Sequence, residues 1–201
     1  MAIKSRLSEH QNRVGQFFKW LPLHPNDIAL ISVVLAAAGA WYVWQLSLWG
    51  PVLFLLSFLV DGLDGAVARA KNLSSAFGAY LDGTADRIVE FFALLPLLLS
   101  PLPGLLIPSL ITLFFGSAMT AFSKAYADHR EAVDHKKAAK LTTLMPRTER
   151  VIGIWAGLVL FVAGRFDILI PLMWLLAAGS ILSFLWLQFA VWRAGKTQHG
   201  I

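Results

Sequence analysis

Residues Asp61–Arg87 read DGLDGAVARAKNLSSAFGAYLDGTADR, and they follow the apolar run PVLFLLSFLV without a break. Four aspartates and two arginines therefore stand where the hydropathy pattern calls for lipid. Read as a helix, Asp61, Asp64, Gly65, Ala68 and Arg69 are spaced i, i+3, i+4, i+7 and i+8 and share one face. Gly78, Asp82 and Asp86, four residues apart, share a face of the next helix. The short turn KNLSS makes the two helices antiparallel neighbours. The end of one then meets the start of the other at the same depth, and all four carboxylates converge.

Carboxylates a few ångströms apart resist joint ionisation unless a cation compensates them. Ligand sets of oxygen alone favour hard ions, Mg²⁺ or Mn²⁺. Four aspartates suffice for two ions, and paired ions suit in-line displacement at phosphorus. The small residues Gly62, Gly65, Ala66, Ala68, Gly78 and Ala79 leave room for a bulky ligand near the backbone, and Arg69 is suited to clamp phosphate oxygens. Three readings follow from this chemistry: a metal–phosphate enzyme, a cation transporter, and charges that form only interhelical ion pairs. Ionisable groups at membrane depth are functional by default. Arg69, with glycines on its helical face, separates the first two, because an anionic nucleotide needs it and a cation path would avoid it.

The rest of the chain agrees with a membrane setting. Of 201 residues 57% are hydrophobic and 14% charged, and the mean hydropathy is +0.65. A soluble domain carries about a quarter charged residues. With no cysteine, disulfides, thiolate metal sites and a cysteine nucleophile are excluded. The net charge of +5 sits in short clusters between apolar runs, as expected for loops that touch anionic lipid and not for a nucleic-acid surface.

Six apolar segments are long enough to span about 30 Å at 1.5 Å per residue. They run over Asp27–Leu46 (capped by Asn26 or Asp27), Trp49–Ala70, Ser75–Ser100, Leu105–Asp128, Glu149–Ala163 and Ile168–Trp192. Lysine and arginine concentrate before the first, between the second and third, between the fourth and fifth, and after the last. The opposite loops, around Ser47, Pro101 and Gly164, hold only Arg165. That asymmetry predicts both termini in the cytoplasm. Residues Ser5–Leu21 have an amphipathic pattern suited to an interfacial helix. The expected architecture is thus an all-α integral membrane protein: an N-terminal amphipathic juxtamembrane segment over 1–22, then one six-helix domain over 23–201.

The spacing D-x2-D-G-x2-A-R-x8-G-x3-D-x3-D resembles the signature of the CDP-alcohol phosphotransferases, also called CDP-alcohol phosphatidyltransferases. Asp61, Asp64, Gly65, Ala68, Arg69, Gly78, Asp82 and Asp86 match it at every gap. The resemblance implies a six-span enzyme that binds a CDP-alcohol such as CDP-diacylglycerol or CDP-archaeol together with two Mg²⁺ or Mn²⁺ ions. An acceptor hydroxyl attacks the β-phosphorus and CMP leaves. By the same resemblance Asp61, Asp64 and Asp82 are metal ligands, and Asp86, also near metal, is the general base. Asp64, Gly65, Ala68, Arg69 and Gly78 line the nucleotide site. A homodimer in the cell membrane of a prokaryote, its active site facing the cytoplasm, is implied as well.

Within the family the chain is most like phosphatidylinositol-phosphate and archaetidylinositol-phosphate synthases, whose later helices hold the acceptor phosphate with basic residues. Lys124 in Lys124-Ala-Tyr-Ala, Arg150 in Arg147-Thr-Glu-Arg150, and Arg193 match these in kind. Tyr126, where an arginine is common, and the basic run His135-Lys136-Lys137 depart from the pattern. Inositol 1-phosphate leads as acceptor, with glycerol 3-phosphate as alternative and CDP-inositol as an alternative donor. Asn26, after Pro25, is read as a helix cap in preference to a nucleotide contact.

Overall fold

The computed structural model describes residues 24–138 and 140–196, and at Asp64, Gly65, Lys136, Ala138 and Lys196 the backbone alone. The expected amphipathic segment over 1–22 lies outside the described residues. Among the described residues every regular element is a helix, and there is no strand. Two compact units make up the chain, Met1–Ala93 and Leu94–Ile201.

The first unit contains α1 (Pro25–Trp44), α2 (Trp49–Lys71) and most of α3 (Ala76–Leu98). Pro25 opens α1 at a position where its missing N–H costs nothing. The cap itself is His24, not Asn26 or Asp27. His24 Nδ1 accepts from the Asn26 N–H at 3.3 Å, and the Asp27 carboxylate accepts from the His24 N–H at 3.0 Å. Proline at the first helical position pushes the cap one residue upstream of it, which moves Asn26 into the first turn.

α1 and α2 form a hairpin that depends on two glycines. A methyl group at Gly50 would lie 2.4 Å from Val43 Cγ2 and 2.6 Å from the Val43 nitrogen. One at Gly39 would lie 3.1 Å from the Phe54 ring. Close backbone approach of this kind is how helices associate where lipid removes the hydrophobic drive. A buried serine pair adds to it, with Ser57 Oγ donating to the Ser32 carbonyl at 2.8 Å. α2 ends at Asn72, which takes the left-handed conformation at φ 57°. α3 then starts over Ser75, whose Oγ accepts from the Gly78 N–H at 3.0 Å.

The second unit contains α4 (Leu106–His129), the short α5 (His135–Ala138), α6 (Arg147–Val162) and α7 (Phe166–Lys196). α4 widens to π-helical geometry over Thr112–Met119. Thr112 Oγ1 donates to the Pro108 carbonyl at 2.8 Å and Thr120 Oγ1 to the Gly116 carbonyl, so hydroxyls serve backbone groups at both ends of the widened turn. Gly153 against Leu176 and Gly157 against Met173 seat α6 on α7.

Four of these helices are long and apolar enough to cross a membrane: Pro25–Trp44, Trp49–Lys71, Leu106–His129 and Phe166–Gly195. Six spans were expected. The expected third span is the helix α3, whose hydropathy is lowered by Asp82, Asp86, Arg87 and Glu90. The expected fifth is α6, whose 16 residues cover about 24 Å at the helical rise.

Candidate active site

The site of the first unit is built where α2 and α3 carry their polar faces. Carboxylate oxygens of Asp61, Asp82 and Asp86 all lie within 4.8 Å of one another. Asp61 and Asp86 are nine-tenths buried, at 7% and 8% exposure, and Asp82 is half-buried. The i, i+4 spacing on α3 and the turn at Asn72 bring about this convergence. Asp64 lies in the same helix, one turn after Asp61, and its side chain is outside the described atoms.

The donor set fits a hard divalent cation. It consists of oxygens alone, at mutual separations that one ion can bridge at its usual 2.0–2.6 Å, about the range for Mg²⁺ and Ca²⁺. Burial of two of the three carboxylates raises the electrostatic cost of leaving them uncompensated.

Beside the carboxylates lies an open cleft. Asn26 and Ala29 of α1, Ala68 and Arg69 of α2, the turn at Leu73–Ser75, and Gly78 and Asp82 of α3 line it. Three residues expected at a nucleotide site are therefore brought together, Ala68, Arg69 and Gly78, and the expected metal ligand Asp82 borders them. A methyl group at Gly78 would stand 3.2 Å from Ser75 Oγ and 3.7 Å from Asn26 Oδ1. Glycine at 78 keeps this part of the cleft free of side-chain volume.

Asn26, read from the sequence as a helix cap in preference to a nucleotide contact, lines the cleft. Arg87 and Glu90 were not read from the sequence as parts of the site. Arg87 Nη1 donates to Asp86 Oδ2 at 3.0 Å and to the Gly83 carbonyl at 2.9 Å. Glu90, one turn beyond Asp86, is buried at 1% exposure. The four-residue period of Asp82, Asp86 and Glu90 is the signal by which the last could have been found.

The expected acceptor residues belong to the second unit. Arg150, in the first turn of α6, is buried at 4% exposure. Glycine at 116 of α4 leaves room for it: a methyl group there would lie 2.8 Å from Arg150 Cδ and 2.6 Å from Ser180 Oγ. Lys124 is half-buried on α4, and Arg193 is exposed near the end of α7. His135 is exposed and sets Nδ1 2.7 Å from Asp128 Oδ1.

Residues 22–192 match the model of the CDP-alcohol phosphatidyltransferase family. The chain is 31% identical over 164 residues to the phosphatidylinositol phosphate synthase of Mycobacteroides abscessus, covering 79% of this chain and 73% of the relative. It is 32% identical over 128 residues to the archaetidylinositol phosphate synthase of Pyrococcus horikoshii, covering 63% and 66%. A bifunctional IPC transferase and DIPP synthase of Aquifex aeolicus is 33% identical over 100 residues, 49% of this chain. That match spans only 23% of the Aquifex protein's length. Among solved structures, the phosphatidylinositol phosphate synthase of Mycobacterium tuberculosis with CDP-DAG bound superposes with a TM-score of 0.73 at 26% identity, over 90% of this chain and 93% of that one. The same enzyme in complex with manganese and citrate gives 0.73 at 25% identity, over 90% and 88%.

Proposed function

The chain belongs to the CDP-alcohol phosphatidyltransferase family, a family of transferases, and from that premise we propose that it moves a phosphatidyl-type group from a CDP-lipid to a hydroxyl of inositol 1-phosphate, releasing CMP. The observation that carries the reading is the approach of Asp61, Asp82 and Asp86 within 4.8 Å beside a cleft lined by Arg69 and Gly78. The relatives named phosphatidylinositol phosphate and archaetidylinositol phosphate synthase support inositol phosphate as acceptor.

Asp61, Asp64, Asp82 and Asp86 would hold two Mg²⁺ or Mn²⁺ ions, which supply charge compensation for a pyrophosphate in this site. The cleft takes the cytidine diphosphate: Gly65, Ala68 and Gly78 leave it space, Asn26 offers an amide, and Arg69 donates to phosphate oxygens. Asp86 takes the proton from the attacking hydroxyl, a role within the reach of a carboxylate held at the cluster. Lys124, Arg150 and Arg193 bind the acceptor's phosphate and so orient its hydroxyl for in-line attack.

In this reading residues 23–201 act as one domain of six membrane-spanning helices. Both termini and the active site face the cytoplasm of a prokaryotic cell, residues 1–22 lie in the interface, and the enzyme works as a homodimer in the cell membrane. α3 and α6 complete the six spans, since a helix buried against neighbours tolerates polar residues that a lipid-facing one does not.

A second reading has its own support in the match to the bifunctional IPC transferase and DIPP synthase. There CDP-inositol is the donor. Glycerol 3-phosphate as acceptor is the third pairing. The test is CMP release by the purified chain with Mg²⁺, using CDP-diacylglycerol, CDP-archaeol or CDP-inositol as donor and each acceptor in turn. Release with a CDP-lipid and inositol 1-phosphate is expected. Release only with glycerol 3-phosphate overturns the acceptor assignment, and release only from CDP-inositol overturns the donor. No release with any pairing returns the acidic cluster to the cation-transporter reading.

A further inference from the structure

We infer that Arg87 is a positioning residue for the Asp86 carboxylate, an assignment that rests on the reading of Asp86 as general base. Arg87 lies outside the aspartate, glycine and arginine positions that carry the family pattern. Successive residues of a helix project about 100° apart, so a neighbour reaches Asp86 only by folding back along the helix. The Arg87 side chain does so. One nitrogen, Nη1, donates both to Asp86 Oδ2 and to the carbonyl of Gly83.

The second bond makes the first one directional. The Gly83 carbonyl is part of the α3 backbone and cannot rotate, so it anchors the guanidinium on the same helix that carries Asp86. Gly83 also presents no side chain over that carbonyl, and a methyl group placed there would meet nothing within 4 Å. The Arg87 side chain is 36% exposed and that of Asp86 12%. An ion pair with one side so enclosed is less screened than a surface pair.

Two consequences follow for Asp86. The terminal torsion of an aspartate is broad and roughly two-fold, and a bond to Oδ2 selects one orientation. With Oδ2 committed to Arg87, the carboxylate offers its other oxygen to an ion or to a proton. Losing Arg87 would let Asp86 turn and would release Oδ2, now held by the guanidinium, to the ion. Mn²⁺ should then bind somewhat more tightly while turnover falls. A residue that merely supported the fold would weaken both.

The experiment is a double-mutant cycle read by Mn²⁺ affinity, using electron paramagnetic resonance on the full chain in detergent. Wild type, Arg87→Met, Asp86→Asn and the double variant are compared, with CMP release from CDP-diacylglycerol as second readout. Arg87→Met should tighten Mn²⁺ binding about threefold, the worth of a partly screened ion pair that no longer competes with the ion for Asp86. That change should vanish when Asp86 is already Asn. In the wild-type background kcat should fall about 10–100-fold with KM for CDP-diacylglycerol nearly unchanged. Arg87→Lys, which keeps a charged donor at nearly the same reach, should recover part of kcat; Arg87→Gln, too short to reach the Asp86 carboxylate, takes Arg87→Met's place in the cycle if that variant does not fold.

The same Mn²⁺ change in both Asp86 backgrounds, or an unaltered kcat, overturns the positioning role. Coupling in the cycle without CMP release refutes the proposed reaction and leaves the Arg87 assignment standing. A wild-type chain that binds no Mn²⁺ overturns the metal reading and this inference together.

Discussion

At the scale of single residues, the first expectation concerns Asp86. Asp86→Asn keeps the shape of the side chain and removes its basicity. It should lower kcat by about 10²–10⁴-fold, the usual worth of a general base, while equilibrium binding of CDP-diacylglycerol stays close to wild type. A variant with near-full turnover would move the base elsewhere. Asn26 and His24 form a second test. Because His24 caps α1 and Asn26 lines the cleft, His24→Ala should cost about 0.5 kcal/mol of stability. Asn26→Ala should instead raise KM for the CDP-lipid and leave the thermal midpoint alone. Arg150 belongs to the same scale. Its replacement by Met should raise the acceptor KM about 10–100-fold, the loss of one or two charge-assisted hydrogen bonds, with donor KM unchanged.

At the scale of elements, the hairpin of α1 and α2 shows how much a glycine decides. A side chain at Gly50 would strike the Val43 backbone nitrogen at 2.6 Å, and backbone cannot move aside as a flexible side chain can. Gly50→Ala should therefore destabilise the protein by about 1–3 kcal/mol, measurable as a lower unfolding midpoint in detergent, without altering metal binding by the folded fraction. The π-helical segment of α4 is a second case. Hydropathy predicted a helix over Leu105–Asp128, and the helix is there over Leu106–His129. Its widened turn over Thr112–Met119 was not legible, because hydropathy reads length and composition and not the backbone hydrogen-bond pattern. Arg165, the lone basic residue assigned to the opposite loops, is held by Asp167 in a two-point pair at 3.1 Å.

For the whole molecule, the topology is open to direct measurement, because the chain has no cysteine to remove. Single cysteines at Ser47, Pro101 and Gly164 should label from one side of the membrane, and cysteines at Asn72 and Glu131 from the other. Labelling of Ser47 and Asn72 from the same side would break the six-span arrangement. What the sequence by itself determined was the all-helical membrane character, the position of each long helix to within a few residues, and the eight-residue pattern from Asp61 to Asp86. Those properties rest on period and composition, which are local and survive without knowledge of neighbours. Tertiary structure alone decided the rest. It set Asn26 beside Arg69 and Gly78 in the cleft, buried Glu90, placed Arg150 against Gly116, and folded Arg87 back onto Asp86. The first three depend on which side chain lies across from which and the last on how a long side chain folds back, and spacing along one helix gives neither.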